Sequence, residues 1–416
     1  MSVQSAAGKS VDVSAWRTPL VIIACGCLIG AIGFGPRAAL GLFLTPMSSA
    51  YSWSRDVFAL ALAIQVLVWG TAQPFVGAIA DRFGSFLVLS AGAVLYCAGL
   101  TIMAYSTTPA MLDLSAGVMA GLGIAGTSFT IVIAAFSKLM PPHMRSLAFG
   151  AGTAAGSFGQ FLFSPLAVGF IEWFGWQHAL VAFGLITLTM IPLAVAVRTP
   201  PMDMSTKPGA ARQQSLLQAL AEAFGHRSYV LLVLGFFTCG FQLLFITVHL
   251  PSYLVDRGLS ADAGAWAIGT IGLFNIIGSI TAGWLGDRMP KRYLLSIIYL
   301  LRSLAVVVFI SLPVSVTSAI VFGGFMGLLW LSTVPPTSAL VAIMFGTRWM
   351  ATLFGFAFFS HQVGGFLGVW LGGVLFTSTG SYNVVWWLSA ALGIISAIIN
   401  LPIIEKPVER EAMAAA

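Results

Sequence analysis

The sequence predicts an all-α membrane protein with twelve transmembrane helices, arranged as two pseudo-symmetric halves of six. Three observations predict this fold class. Of the 416 residues, 58% are hydrophobic and only 8% are charged, whereas a soluble protein carries about 25% charged residues. The apolar residues form twelve runs, each near the ~20 residues that a membrane-spanning helix needs. A short motif also occurs twice, at matching positions of the two halves.

The longest break between apolar runs extends from Arg198 to Arg227 and separates six runs from six. It contains three prolines and a candidate amphipathic surface helix, Ser215 to Phe224. We expect a tail (1–17), a first bundle (18–198), a linker (199–228), a second bundle (229–404) and a final tail (405–416). The twelve runs lie at about 18–46, 57–80, 85–106, 110–139, 146–171, 177–198, 229–253, 262–286, 293–312, 315–344, 349–377 and 383–404.

The distribution of basic residues predicts the orientation. If the N-terminus is cytoplasmic, 15 of the 19 Lys and Arg residues lie on the cytoplasmic side. The positive-inside rule then places both termini in the cytoplasm. This placement also explains the net charge of +6, which is therefore no evidence for nucleic-acid binding. The apolar run after the polar first 17 residues is too long for a signal-peptide core.

The repeated motif reads Gly-x-x-x-Asp-Arg and follows the second and the eighth apolar run. Its two copies, 206 residues apart, are Gly77, Asp81 and Arg82 in the first half and Gly283, Asp287 and Arg288 in the second half. Internal duplication of this kind is how many transport proteins build a site at the bilayer midplane, between two halves that move against each other.

Arg37 is the most informative single residue, because it lies inside the first apolar run with no acidic neighbour in that run. A charge near the bilayer centre costs about 2.5–3.5 kcal/mol on insertion scales, and it persists when it faces a polar cavity or a partner. Gly33, Gly35 and Gly41 allow close approach, and Pro36 can bend the helix. We predict that Arg37 binds an anion. The alternative is a positioning charge that reaches outward or bonds to backbone carbonyls.

Other candidates lie near the middle of predicted helices. His361 is the only histidine near a helix centre and can titrate near neutral pH, so it is our candidate for proton coupling; the alternative is a neutral packing histidine. Arg302 is expected to make structural bonds. The remaining side chains either contact a substrate or hold helices together: the polar residues Gln65, Thr127, Gln242, Asn275, Ser332, Thr333 and Gln362, and the aromatic residues Trp330, Phe358 and Phe359.

The motif in both halves of a twelve-helix chain resembles the major facilitator superfamily. That resemblance implies the fold of this superfamily and transport by alternating access. It also implies that the two motif copies, with Asp81, Arg82, Asp287 and Arg288, form a latch between the halves on the cytoplasmic side. The second copy keeps the basic pair Lys291-Arg292, whereas the first has Ser85-Phe86 where the family carries basic residues.

Two further stretches are similar to a branch of this superfamily. Gly33 to Phe43 resembles the first helix of monocarboxylate transporters, and Arg145 to Gly152 resembles the entry to helix five in those proteins and in the oxalate–formate exchangers. The chain departs from the branch in helix eight. Ser279 replaces a common arginine and Asn275 an acidic residue, so the second cationic contact and its proton-carrying carboxylate are absent. Gly117 stands where many proton-coupled members carry an arginine in helix four.

These observations lead to one hypothesis with alternatives. We expect a monomeric secondary transporter of the bacterial inner membrane, neither an enzyme nor dependent on a cofactor. It would move a small organic anion, a monocarboxylate, by proton symport or by exchange for another anion. The alternative is an exporter of a larger neutral or amphiphilic compound. A sensor or an intramembrane enzyme is disfavoured, because no signalling domain is appended and the apolar runs contain no paired nucleophile and base.

Overall fold

The computed structural model describes residues 16–141, 144–200, 216–346 and 349–408, without the side chains of residues 81, 145–147, 149, 350 and 351. Most of the expected tails and part of the linker therefore lie outside the described residues. Helices account for nearly all of the described chain before residue 200. They are α1 (Pro19–Ala39), α2 (Leu44–Tyr51), α3 (Arg55–Phe83), α4 (Ser85–Ala104), α5 (Pro109–Leu112), α6 (Ala120–Thr127), α7 (Phe129–Leu139), α8 (Arg145–Leu188) and α9 (Met190–Ala196).

The chain after residue 215 is equally helical. A short surface helix, α10, opens this part close to where the sequence predicts it, with Leu217 78% exposed and Ala219 and Ala223 buried. The helices are α10 (Leu216–Gly225), α11 (Arg227–Asp256), α12 (Ala261–Gly286), α13 (Lys291–Ser311), α14 (Val316–Leu329), α15 (Val334–Phe345), α16 (Met350–Thr379) and α17 (Asn383–Asn400).

Within the described residues, eleven continuous helical segments are long and apolar enough to cross a bilayer. One of them, Gly150–Ala196, has 47 residues, which at 1.5 Å per residue is about 70 Å, more than twice the thickness of a hydrocarbon core. Gly175 interrupts it with a non-helical backbone (φ 80°, ψ 157°), a conformation that favours glycine. The two arms on either side of Gly175 correspond to the predicted fifth and sixth segments.

Local sequence explains several helix ends. Thr18 caps α1 by accepting a hydrogen bond from the Val21 amide, and Pro19 occupies the first turn, where its missing N–H costs nothing. The first helical segment does not stop at residue 46 as predicted. A 3₁₀ turn, Leu40–Phe43, leads into α2, so this segment extends to Tyr51.

Two faces of the bundle can be defined from side-chain contacts at the helix ends. On one, the Arg17 face, Arg17 donates to the carbonyl oxygens of Ala196 and Arg198, so the start of α1 meets the end of α9. On the other, the Arg55 face, Arg55 at the start of α3 meets Asp256 at the end of α11. The helices run between these two faces, and both motif copies lie at the Arg17 face.

Several hydrogen bonds join helices before residue 200 to helices after residue 215. The bonds between described residues named here lie at the middle of the helices or toward the Arg55 face. The pairs are Thr45 with Ser252, Asp56 with Thr377, Arg55 with Asp256 and with Tyr382, Gln160 with Ile268, Ser157 with Asn275, and Val66 with Gln362.

Candidate functional site

Arg37 lies in the last turn of α1, directly after Pro36 and just before the helix tightens into the 3₁₀ turn. It is 7% exposed, and its guanidinium carbon lies 4.6 Å from the ring centroid of Trp69 and 5.4 Å from that of Phe34. Its Nε has no hydrogen-bond partner. The ion pair found among the described side chains joins Arg55 and Asp256 instead. Arg37 is therefore a desolvated cation stabilised by aromatic faces, without a carboxylate partner from the described chain.

A small pocket opens beside Arg37. Its cavity volume is about 10 Å³, and α1 and α3 contribute one wall while α11 contributes the other. Gly41 closes it toward the Arg55 face, because a Cβ there would lie 2.5 Å from the Thr247 carbonyl oxygen. The lining residues are Arg37, Leu62, Gln65, Val66, Leu244, Thr247 and Val248. Of the predicted polar residues, the pocket thus includes Gln65, whose Nε2 donates to the Ala116 carbonyl at 2.7 Å.

An aromatic stack connects Arg37 to His361 across the two halves. The ring of Trp69 in α3 meets that of Phe358 in α16 edge-on, with the centroids 5.6 Å apart. Phe358 in turn stacks on His361 with the ring planes 7° apart and the centroids 5.7 Å apart. Arg37 and His361, predicted separately, therefore belong to one continuous array.

The ring of His361 is held in one orientation by Gln362. Gln362 donates through Nε2 to the Val66 carbonyl at 3.1 Å, so its Oε1 is free to accept from His361 Nδ1, 3.0 Å away. This arrangement places the proton of the neutral ring on Nδ1 and leaves a lone pair on Nε2. His361 is 6% exposed, and the Cys239 thiol lies within hydrogen-bond reach of its ring.

The side chain of Asn275 connects its own helix, α12, to α8 and to the break between α14 and α15 through hydrogen bonds. Its Nδ2 donates to Ser157 of α8 at 2.8 Å, while its Oδ1 accepts from the Leu331 amide at 3.0 Å and from Ser279 at 3.1 Å. These bonds use its amide within the protein in this conformation. Leu331 belongs to the break between α14 and α15, where the predicted residues Trp330, Ser332 and Thr333 also lie.

The remaining predicted binding residues are not brought to the Arg37 pocket. Gln242 is fully buried and donates to the Ser389 carbonyl of α17 at 2.9 Å. Thr127 bonds back to Gly123 in its own helix. Ser332 likewise bonds to Leu328, and Thr333 contacts the Cys239 thiol at 3.2 Å. Trp330 is 3% exposed, and Phe359 is 39% exposed.

Arg302 makes backbone bonds of the kind expected for it, while its Nη1 has no hydrogen-bond partner among the described residues. It is completely buried in α13, and its Nε and Nη2 donate to the Leu329 carbonyl at 3.0 and 2.5 Å. Nη2 also donates to the Trp330 carbonyl. Its positive charge thus lies on the carbonyl end of α14, where a cation is favourable, and it holds the break that follows.

Among the described side chains, no hydrogen bond or ion pair joins Arg82, Asp287 or Arg288 to the opposite half. Arg82 and Asp287 are exposed, and Arg82 lies over the neighbouring ring of Phe83. Arg288 donates to the Trp284 carbonyl and lies 3.9 Å from the centroid of that indole ring. The motif glycines have open space around them, with no atom within 4 Å of a Cβ built at Gly77 or Gly283. The side chain of Asp81 lies outside the described part of the structure.

Sequence reasoning missed a polar network at the Arg55 face. Arg55 makes two 2.5 Å bonds to Asp256 and a third, at 3.0 Å, to the Tyr382 hydroxyl. His249 lies behind Tyr382 and is completely buried. The sequence pattern alone places His249 near the end of the seventh run (229–253), but the helix continues to Asp256 and encloses it.

The described chain has helices long enough to cross a bilayer. They pack around a desolvated cation in a pocket shared by two halves. This arrangement is typical of a membrane transport protein. The family model for the Major Facilitator Superfamily matches residues 25–369. The chain belongs to this superfamily, and it is a transporter of a small-molecule substrate.

Similar sequences lie within the same superfamily. An uncharacterized MFS-type transporter of Bacillus subtilis (strain 168), YcxA, is 29% identical over 391 residues, which is 92% of this chain and 94% of the relative. Monocarboxylate transporter 11 of Mus musculus is 25% identical over 371 residues, covering 87% of this chain and 82% of the relative.

Solved structures share the fold. A bacterial homolog of the human lysosomal transporter Spinster, in an inward-facing and unoccupied conformation, matches with a TM-score of 0.75 and 15% identity, covering 94% of this chain and 97% of that one. A D-xylose-proton symporter matches with a TM-score of 0.68 and 16% identity, covering 94% and 98%.

Proposed function

We propose that this protein is a secondary active transporter that moves a small organic anion, a monocarboxylate, across the bacterial inner membrane. The observation that carries the proposal is Arg37. It is 7% exposed, lines a pocket and keeps an Nε without a hydrogen-bond partner. A carboxylate entering the pocket supplies both the missing counter-charge and the missing acceptor, and the planar guanidinium matches a carboxylate through two parallel bonds.

The chemistry of the pocket walls supports a small carboxylate. In this conformation the cavity volume is about 10 Å³, close to the space that one water molecule needs, so substrate binding requires the walls to move apart. Its walls beyond Arg37, Gln65 and Thr247 are aliphatic, so a carboxylate with a short apolar chain fits its chemistry. Relatives named as monocarboxylate transporters 11, 12 and 13 support the same substrate class.

The architecture that goes with this function is a pair of six-helix bundles, 18–198 and 229–404, with twelve crossings in all. The twelfth crossing follows from counting the arms on either side of Gly175 separately. With the positive-inside orientation, the Arg17 face is cytoplasmic. The hydrogen bonds toward the Arg55 face and the separated motif residues then correspond to an inward-facing state of a monomer, and the two motif copies close the cytoplasmic side in the opposite state.

Coupling follows from electrostatics. An inside-negative membrane opposes the entry of an anion by about 2.3 kcal/mol per charge per 100 mV. Accumulation of a monoanion therefore needs a proton that moves with it or an anion that leaves in exchange. His361 is the proton carrier in the symport version, because Gln362 engages its Nδ1 and leaves Nε2 as the basic nitrogen, and the Trp69–Phe358 stack joins it to Arg37.

Uptake of radiolabelled monocarboxylates into proteoliposomes tests the proposal. Arg37→Gln should abolish uptake, whereas Arg257→Gln, which removes an exposed arginine at the Arg55 face, should retain it. Full uptake by the Arg37→Gln variant would overturn the anion-site assignment.

One observation favours the second candidate, an exporter of a larger neutral or amphiphilic compound. A mainly apolar pocket with a cavity volume of about 220 Å³ lies between Gly41, Thr45, Ser252 and Leu259. Thermal unfolding separates the two candidates, since a ligand at 100 times its dissociation constant adds about 2.7 kcal/mol of stability. Carboxylates that stabilise the wild type but not Arg37→Gln support the anion transporter. Bulky neutral compounds that stabilise both proteins equally support the exporter.

A further inference from the structure

A chain of hydrogen bonds links the ion pair at the Arg55 face to a buried histidine. Arg55 binds Asp256 through two 2.5 Å bonds and reaches the Tyr382 hydroxyl at 3.0 Å. The same hydroxyl lies 3.1 Å from His249 Nδ1, and His249 Nε2 lies 2.8 Å from the Val369 carbonyl oxygen of α16. The chain thus joins α3 of the first half to α11, α16 and the start of α17.

The donors and acceptors in this chain have one consistent assignment. A carbonyl oxygen only accepts, so His249 Nε2 carries a proton and donates to Val369. Arg55 only donates, so the Tyr382 oxygen accepts from it. The Tyr382 hydroxyl proton is then free to point at His249 Nδ1, and this nitrogen accepts the hydrogen bond through its lone pair. The closed arrangement at the Arg55 face therefore requires a neutral His249 with its proton on Nε2.

Protonation of His249 is incompatible with this assignment. A proton added to Nδ1 makes both ring nitrogens donors, so the ring can no longer accept from Tyr382. It also adds a positive charge beside Arg55 in a buried setting, where like charges repel strongly. Both effects weaken the Arg55–Tyr382–His249 contacts that join the two halves.

We infer that His249 is a proton-binding site that controls closure of the Arg55 face: a proton on its Nδ1 opens the contact between Arg55 and the second half. The step transfers a proton from hydronium at this face to Nδ1: one O–H bond breaks, one N–H bond forms and a water molecule is left. Asp256, whose side chain is 31% exposed, marks where the hydrogen-bond chain meets solvent. The inference does not involve the substrate site. It rests on the proposed function only in taking the opening of the Arg55 face to be a step of transport.

The surroundings of His249 support the assignment of His249 as the group that controls the contact at the Arg55 face. The ring packs against Gly372, where a Cβ would lie 2.5 Å from it, and lies 5.6 Å from the ring centroid of Phe245. Helix α16 contributes a backbone carbonyl and Phe376 to the surroundings of His249. None of its described side chains at this place is titratable. The titratable groups around the site are Tyr253 and Asp256 of its own helix, Arg55 and Asp56 of α3, and Tyr382 before α17.

The test measures the separation of the halves at the Arg55 face and needs no transport substrate. Ser54 and Ser260 cap α3 and α12 without side-chain bonds, so Ser54→Cys and Ser260→Cys can carry spin labels, with the four native cysteines replaced by alanine. Electron–electron distance measurements should show the label separation increasing as pH falls from about 8 to about 3, a range that covers ordinary histidine titration and continues well below it.

His249→Gln should lose this pH-dependent shift. His178→Gln is the matched control, because His178 is an exposed histidine near the same face, and it should retain the wild-type shift. An unchanged shift in His249→Gln, or no shift in the wild type, would overturn the inference.

A second variant covers the case in which His249→Gln does not fold. Tyr382→Phe removes the hydroxyl that links His249 to Arg55 and leaves the ring, so it too should lose the shift; a wild-type response in this variant would contradict the inference. Failure of monocarboxylate uptake would count against the proposed function and would leave this distance readout intact, so the two proposals fail separately.

Discussion

The guanidinium of Arg37 lies 4.6 Å from the ring centroid of Trp69, and that indole ring is also the link to Phe358 in the second half. Trp69 therefore both stabilises a buried charge and joins the halves. Its Nε1 donates to Gln73 Oε1 at 2.9 Å, which fixes the ring. The first prediction concerns this residue.

Trp69→Leu should weaken both binding and stability. The variant removes a desolvated cation–π contact worth about 2 kcal/mol and the edge-on contact with Phe358. We expect the midpoint of thermal unfolding to fall and the carboxylate-induced stabilisation to shrink. Trp69→Phe keeps an aromatic face and should lose less of both, and equal losses in the two variants would contradict the cation–π role.

Arg37 and Arg302 should respond in opposite ways to the same substitution. Arg302→Gln breaks bonds to two buried carbonyls and should lower the free energy of unfolding by at least about 1–3 kcal/mol. Arg37→Gln loses the cation–π contact with Trp69 but also removes a desolvated charge, so the two effects offset and folding should stay near normal while ligand stabilisation disappears. Thermal unfolding with and without ligand checks both, and a reversed pattern would exchange the two roles.

Ser157 and Asn275 should be energetically coupled across the halves. Removing either partner leaves a buried polar group unsatisfied, at a cost of about 1–3 kcal/mol. A double-mutant cycle of Ser157→Ala and Asn275→Ala, read by thermal unfolding, should therefore give a clearly non-additive result. Ser279→Ala is the control, since Asn275 Oδ1 keeps the Leu331 amide as a donor. Strict additivity would mean that this contact is not maintained in the membrane.

Gly240 should be intolerant of even one methyl group. A Cβ there would lie 1.7 Å from the His361 carbonyl oxygen, so α11 and α16 would have to separate, which costs about 1–3 kcal/mol or more. Gly355→Ala is the matched control in α16, where a Cβ meets no atom within 4 Å. It should be neutral or mildly stabilising, because alanine favours helix over glycine. Expression level and unfolding midpoint measure the difference.

His361→Ala should change the pH dependence of transport while leaving the Arg55-face distance response in place. The variant removes the Nε2 lone pair that the symport mechanism uses. Uptake measured over a range of external pH checks this expectation. A pH profile identical to that of the wild type would remove His361 from the coupling path and favour anion exchange.

Some of these features follow from sequence and others depend on packing. The membrane class and the buried Arg37 could be predicted, because a bilayer imposes a strict length and penalises isolated charges. The partners of Gln242 and Asn275 could not, since a midplane amide looks the same in sequence whether it faces a cavity or a neighbouring helix. The Arg55, Tyr382 and His249 network was missed because its members are up to 327 residues apart, and only the meeting of helix ends brings them together.

The hydrogen bonds between the halves at the Arg55 face set a cost for opening that face. Parting it breaks the Thr45–Ser252 and Asp56–Thr377 bonds and those of Arg55, each worth about 0.5–1.5 kcal/mol net. The rate of each turnover then depends on how much of that cost the bound cargo offsets, so substrates of similar affinity can differ widely in transport speed.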